Sequence, residues 1–177
     1  MRKLSMEELD RKTVGGFRAS EKFPVIAVMD NVRSMHNVGS VFRTADAFLI
    51  RGLCLCGYTP QPPHRDIHKT ALGATETVAW NYFATAVEAV ECLKSAGYVV
   101  FAVEQVEKSI PLHEFSSNQY ENLAVVFGNE VSGVDPAVLA LCDGCIEIPQ
   151  WGMKHSLNIS VAAGIVLWEL VRDSKII

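Results

Sequence analysis

Hydrophobic positions in this chain fall into two kinds of block, and the alternation between them gives its architecture. Short continuous apolar runs cover residues 25–29, 52–56, 77–83, 98–103, Leu123–Phe127 and 145–148. Runs of that length, bounded by polar turns, read as buried strands. Between them apolar residues recur at helical spacing. Val38, Val41, Phe42, Ala45 and Phe48 form one stripe; Leu157, Val161, Ile165 and Trp168 form another along residues 157–170. Residues 67–72 read as a short helix stopped by Gly73, and Thr85 with Glu88 has capping-box spacing for a helix to about Ala96, stopped by Gly97. Asp135-Pro136 suits a helix start. Asn37 and Ser156 read as the N-caps of the first and last long helices. Residues 58–66 are a Pro-rich, basic loop; residues 104–122 are irregular, with one helical turn near 111–115. Strands alternating with helices in this way predict an α/β fold, a mostly parallel sheet flanked by helices on both faces. Ligands of such sheets lie outside the strand carboxyl ends. Here those ends carry the polar loops 30–37, 128–133 and 150–156.

Residues 1–22 differ from this pattern. They are polar with alternating charge, Ser5 and Glu8 have capping-box spacing, and Gly15-Gly16 interrupts them. They read as a short basic arm, with Arg2, Lys3, Arg11, Lys12, Arg18 and Lys22 available to phosphates, ahead of one domain at 23–177. A hydrophobic content of 49% supports a folded core. No apolar run approaches the ~20 residues of a membrane helix, and the charged first ten residues do not read as a signal peptide. A cytoplasmic protein is expected, without a membrane partner. The five Cys fit that setting: an odd count argues against a disulfide framework. Cys142 and Cys145 have C-x-x-C spacing, but no second pair completes a zinc site, so no metal is expected and the thiols read as packing residues. The net charge of −4 conceals an asymmetry. Residues 1–69 carry 11 Lys and Arg against 7 Asp and Glu, whereas residues 70–150 carry 2 against 11. A basic first part fits a localised polyanion site, although ordinary solvated surface has the same composition.

Several nucleotide and hydrolase signatures are missing. Gly128 and Gly133 have the first spacing of a Walker A loop, but Val134-Asp135 follows where Lys and Ser or Thr are needed. No G-x-G-x-x-G follows a strand and no G-x-S-x-G is present. What is present is an ordered set of polar clusters after strands: His36-Asn37-Val38 with Arg43-Thr44-Ala45-Asp46-Ala47, then Gly128-Asn129-Glu130, then Ser156-Leu157-Asn158-Ile159-Ser160-Val161-Ala162. Together these resemble the SpoU (TrmH-type) branch of the SPOUT RNA methyltransferases, over roughly residues 25–170.

The resemblance implies S-adenosyl-L-methionine as methyl donor and an RNA ribose 2′-hydroxyl as acceptor, with tRNA favoured over rRNA. It implies a SPOUT-type domain with a deep C-terminal trefoil knot, which general topology rules would not suggest, and a homodimer with the active site near the subunit interface. Main-chain groups of Gly128, Ile148 and Leu157, with Val103 nearby, would hold the cofactor. Arg43, Asn37, Glu130, Ser156 and Asn158 would form the catalytic set. An Arg stays protonated at working pH and is a poor general base. Arg43 therefore orients the hydroxyl or a neighbouring phosphate, or is perturbed by that phosphate; Glu130 is the base if Arg43 is not. Arg33, His36, Arg65, Lys154 and His155 read as loop residues placed to touch phosphate or ribose. A ribosomal RNA enzyme, a non-catalytic RNA-binding homologue and an unrelated α/β nucleotide-binding protein are the alternatives.

Overall fold

The computed structural model of the protein describes residues 1–5, 7–9 and 12–172. Arg11 of the arm and residues 173–177 of the expected domain lie outside the described residues. Among the described residues, seven strands form one sheet: β1 (Phe23–Asp30), β2 (Ile50–Cys56), β3 (Ala79–Phe83), β4 (Val99–Val103), β5 (Ile110–Pro111), β6 (Leu123–Phe127) and β7 (Gly144–Glu147). Their order is β3-β2-β1-β6-β4-β7-β5, and each of these pairings is parallel. The helices are α1 (Val14–Ala19), α2 (Met35–Ala47), α3 (Arg65–Ala71), α4 (Ala74–Thr77), α5 (Ala86–Ser95), α6 (Pro136–Leu139) and α7 (Ile159–Arg172).

Because side chains alternate across a strand, the sheet builds two cores. Ala27 and Met29 of β1 face one side with Val38 and Phe42 of α2 and Ala163 and Leu167 of α7. Val28 faces the other side with Ala89 and Val90 of α5 and Val138 of α6. The central strand β6 is buried at every position, as a parallel strand covered on both faces must be. Helix α3 lies close on α2 because residue 39 is glycine: a Cβ there would stand 2.1 Å from Thr70 Oγ1 and 2.3 Å from the Ile67 carbonyl oxygen. Among the described residues, no helix is long and apolar enough to cross a membrane.

Most elements form where the periodicity predicts them, and the departures have local causes. The tract at 77–83 is divided. Leu72 and Gly73 both adopt positive φ, at 49° and 94°, and turn the chain into α4, so the strand begins only at Ala79. Strand β5 is two residues long and sits within the stretch read as irregular. The stripe Leu157, Val161, Ile165 and Trp168 that marks α7 in the sequence is not its buried face. Those residues are exposed, and Ile159, Ala163, Val166, Leu167, Leu170 and Val171 pack inward. Two caps also move. Ser34, not Asn37, caps α2, its Oγ accepting from Asn37 N at 3.3 Å. Asn158, not Ser156, takes the position ahead of α7, its Oδ1 accepting from Ser160 N at 2.9 Å. Thr85 and Asp135 cap α5 and α6 as their sequences indicate. In the arm, Ser5 and Glu8 form the reciprocal capping pair, and Phe17 of α1 is buried in the domain core.

Candidate active site

The carboxyl ends of β4, β6 and β7 open on a cleft of about 670 Å³. Each strand contributes through the loop that leaves it, so residues far apart in sequence converge. Val103, Gly128, Ile148 and Leu157, the expected cofactor residues, all line it. So do Glu130, His155, Ser156 and Asn158. Gly128 is required by a close approach: a Cβ there would lie 2.1 Å from Gly133 C and 2.2 Å from Val134 N. The crowding is with the chain's own turn, which folds back under the cleft.

That turn is closed by a pair of main-chain hydrogen bonds, Asn129 N to Gly133 O at 2.9 Å and Gly133 N to Asn129 O at 3.0 Å. Asn129 organises it further. Its Oδ1 accepts from Val131 N and Ser132 N, and its Nδ2 donates to Asn31 O at 2.6 Å, tying the turn to the end of β1. Glu104, directly after β4, holds the other side, accepting from Val134 N at 3.1 Å and Gln105 N at 3.0 Å. Glu104 and Asn31 were not singled out from the sequence. Their one signal is position: Glu104 is the first residue beyond the predicted strand at 98–103, and Asn31 the second beyond the one at 25–29.

A polar chain crosses from this turn to α2 and α7. The Glu130 carboxylate accepts from Arg33 N at 3.0 Å, from Ser34 N at 3.1 Å and from Asn37 Nδ2 at 3.1 Å. Asn37 Oδ1 in turn accepts from Asn158 Nδ2 at 3.2 Å. Three of the five expected catalytic residues, from three separate motifs, thus form one hydrogen-bonded unit. Asn37 is nearly buried, at 9% exposure, because it spans the gap between the other two. Partial burial pushes the Glu130 pKa up. The main-chain N–H groups of Arg33, Glu130 itself and Ser34, with the Asn37 amide, outweigh that and hold it below the ordinary value.

The cations behave differently. His155 lines the cleft, whereas Arg33, His36, Arg43, Arg65 and Lys154 do not line it and are exposed. Arg43 is exposed on α2, and its guanidinium makes no hydrogen bond or ion pair among the described residues. Cys142 and Cys145 are free thiols. Burial pushes Cys142 up to about 12 and raises Cys145, which keeps both protonated and poorly nucleophilic. Among the described residues no group of three or more His, Cys, Asp or Glu is placed to hold a metal ion.

Comparison with known proteins converges on one family. Residues 24–168 match the SpoU rRNA methylase family. The tRNA (guanosine(18)-2′-O)-methyltransferase of Thermus thermophilus is 34% identical over 147 residues, covering 82% of this chain and 73% of that protein. The 23S rRNA (guanosine-2′-O-)-methyltransferase of Vibrio cholerae is 30% identical over 166 residues, covering 94% of this chain and 66% of its own length. Among solved structures, an AdoMet-bound rRNA methyltransferase from Sinorhizobium meliloti superposes with a TM-score of 0.79 at 26% identity, covering 86% of this chain and 57% of that one. The chain spans less than two thirds of other relatives it matches, 63% of one from Staphylococcus saprophyticus and 38% of one from Synechocystis. With the family matched across the whole sheet and the three motifs that meet at the cleft, the chain belongs to the SpoU rRNA methylase family.

Proposed function

We propose that this protein is an S-adenosyl-L-methionine-dependent methyltransferase acting on a ribose 2′-hydroxyl of RNA, with tRNA ahead of rRNA as substrate. The observation that carries the reading is the meeting of the Asn37–Glu130–Asn158 unit with the cleft lined by Val103, Gly128, Ile148 and Leu157. The cleft suits the donor. Its volume lies within the ~300–1,000 Å³ of small-molecule sites. Glu104, Glu130 and Glu147 line it and, among the described residues, no Lys or Arg does, which favours a sulfonium cation. When bound, the cofactor supplies an electrophilic methyl group.

The chain's own residues do the rest. Val103, Ile148 and Leu157 give apolar walls and main-chain groups, and the Gly128 turn forms the floor. Glu130, with its lowered pKa, is ionised at working pH and a weak proton acceptor. Its role is to order the α2 N-terminus and hold Asn37 in one orientation. Asn158 hydrogen-bonds to the same amide, so Asn37 and Asn158 present a fixed polar edge beside the cleft. Ser156, in the loop entering α7, supplies a hydroxyl at that edge. Arg43 orients the acceptor ribose through its flanking phosphate, and Arg33, His36, Arg65, Lys154 and His155 add phosphate or ribose contacts.

A homodimer belongs to the reading, as do the arm at 1–22, the catalytic domain at 23–177 and a cytoplasmic setting. In support of the dimer, Val161, Ile165 and Trp168 expose an apolar stripe on α7, continuous at its start with Leu157 of the cleft. A C-terminal knot belongs to it as well. After β6 the chain packs α6 on the α5 face, passes as β7 between β4 and β5, and packs α7 on the opposite face. That passage lies beside the excursion from β4 through β5 to β6, the loop a knot would thread.

The test is transfer of tritiated methyl groups from S-adenosylmethionine to unmodified total RNA, followed by mapping of the labelled nucleotide. Wild type labels one ribose, and Arg43→Ala loses transfer while keeping cofactor affinity. No transfer to any RNA, with tight binding of ATP or NAD in place of S-adenosylmethionine, would overturn the reading.

A further inference from the structure

A second cleft, of about 460 Å³, opens on the other side of the turn from the first. It lies at the carboxyl ends of β1, β2 and β3, against α5 and α6, and Asp30, Asn31, Tyr58, Tyr82 and Asp135 shape it. Residues 128–134 line the first cleft and Asp135, which follows them, lines the second; Asn129 Nδ2 ties that turn to Asn31 O. Asp30 sits at the floor, only 2% exposed. Its Oδ1 accepts from Asn31 Nδ2 at 2.9 Å and its Oδ2 from Asp135 N at 3.0 Å, so it fixes the position of Asp135. Asp135 Oδ1 accepts from Ala137 N at 2.7 Å, and its Oδ2 has no hydrogen-bond partner among the described residues. Two tyrosines stand at the mouth. Tyr58 is 84% exposed and Tyr82 45%, and the Tyr82 hydroxyl donates to Gly57 O at 3.3 Å, beside Tyr58. Among the described residues, no Lys or Arg lines the cleft.

We propose that this cleft takes a guanine base of the RNA substrate, stacked on the tyrosines and read at its edge by Asp135; the proposal rests on the RNA methyltransferase reading above. A carboxylate only accepts. The guanine Watson–Crick edge offers two adjacent donors, N1–H and the N2 amine, whereas each other base places an acceptor beside its donor. Exposed aromatic rings supply the sequence-tolerant part of the affinity by stacking, and the carboxylate supplies the choice. The base belongs either to the methylated nucleotide or to a neighbour.

Two variants test this. Asp135→Asn keeps a competent helix cap but replaces acceptor-only chemistry with an amide; Tyr58→Ala removes one stacking face from an exposed position. Guanosine, inosine and uridine are titrated into the protein by saturation-transfer NMR. Guanosine binds more tightly than inosine, which lacks the N2 amine, and uridine binds least. Each variant weakens guanosine about tenfold with melting temperature and S-adenosylmethionine affinity unchanged. Equal binding of the three nucleosides, or unchanged guanosine affinity in both variants, overturns the proposal. In the transfer assay, inosine placed at the methylated position or at flanking guanines of the mapped RNA shows which base occupies the cleft; no loss at any position also overturns it. The nucleoside titrations need no methyl transfer, so failure here and failure of the parent reading are distinguishable.

Discussion

The link between Asn37 and Glu130 is the part of the site whose strength can be worked out from its geometry. Asn37 Nδ2 donates to Glu130 Oε1 at 3.1 Å from a nearly buried position. A hydrogen bond to a charged group contributes roughly 1.5–3 kcal/mol net. Glu130 also faces solvent, so water replaces part of that, and the expected coupling is at the lower end, about 1–2 kcal/mol. A double-mutant cycle with Asn37→Ala and Glu130→Ala, read by urea denaturation, isolates it from the separate loss of the Asn158 contact. The coupling also has a pH signature. The Glu130 pKa is lowered in the folded state, so its stabilisation is fully present above the unfolded carboxylate value of about 4.3 and is lost as pH falls through the folded value. The cycle therefore gives a constant coupling between about pH 6 and 8 and a shrinking one below about pH 4. Additivity within about 0.3 kcal/mol at pH 7 would refute the claim that these two residues act as a unit.

Two further outcomes follow from the packing. Gly39→Ala forces a Cβ against Thr70 Oγ1 and the Ile67 carbonyl, so it destabilises by roughly 1–3 kcal/mol, seen as a lower urea midpoint; an unchanged midpoint would show that α3 moves away freely. If the exposed α7 stripe is covered by a second copy, Ile165→Glu with Trp168→Glu converts dimer to monomer in sedimentation velocity while far-UV circular dichroism stays that of the folded chain. A wild-type protein that sediments as a monomer at micromolar concentration would exclude that interface.

The hydrophobic pattern was sufficient for the strand–helix alternation. Continuous apolar runs such as Leu123–Phe127 can be satisfied only with both faces covered, and that burial is what β6 shows. Local capping chemistry was equally legible at Thr85 and Asp135, because an N-cap depends on residues within one turn. The motif residues Asn37, Glu130 and Asn158 could be picked out one by one, but nothing in their spacing states that they touch. That depends on β6 lying between β1 and β4 and on α7 returning to pack on α2, both long-range choices. The same dependence explains the misplaced caps. Asn37 has the right side chain to cap α2, but Glu130 and Asn158 hold it, and Ser34 caps the helix instead. It explains α7 too: two apolar stripes share one helix, and periodicity cannot tell which faces the sheet. Local sequence determined which elements form and where their polar ends lie. Tertiary packing alone decided which polar ends meet, because the free energy that brings them together comes from burying surfaces distant in the chain.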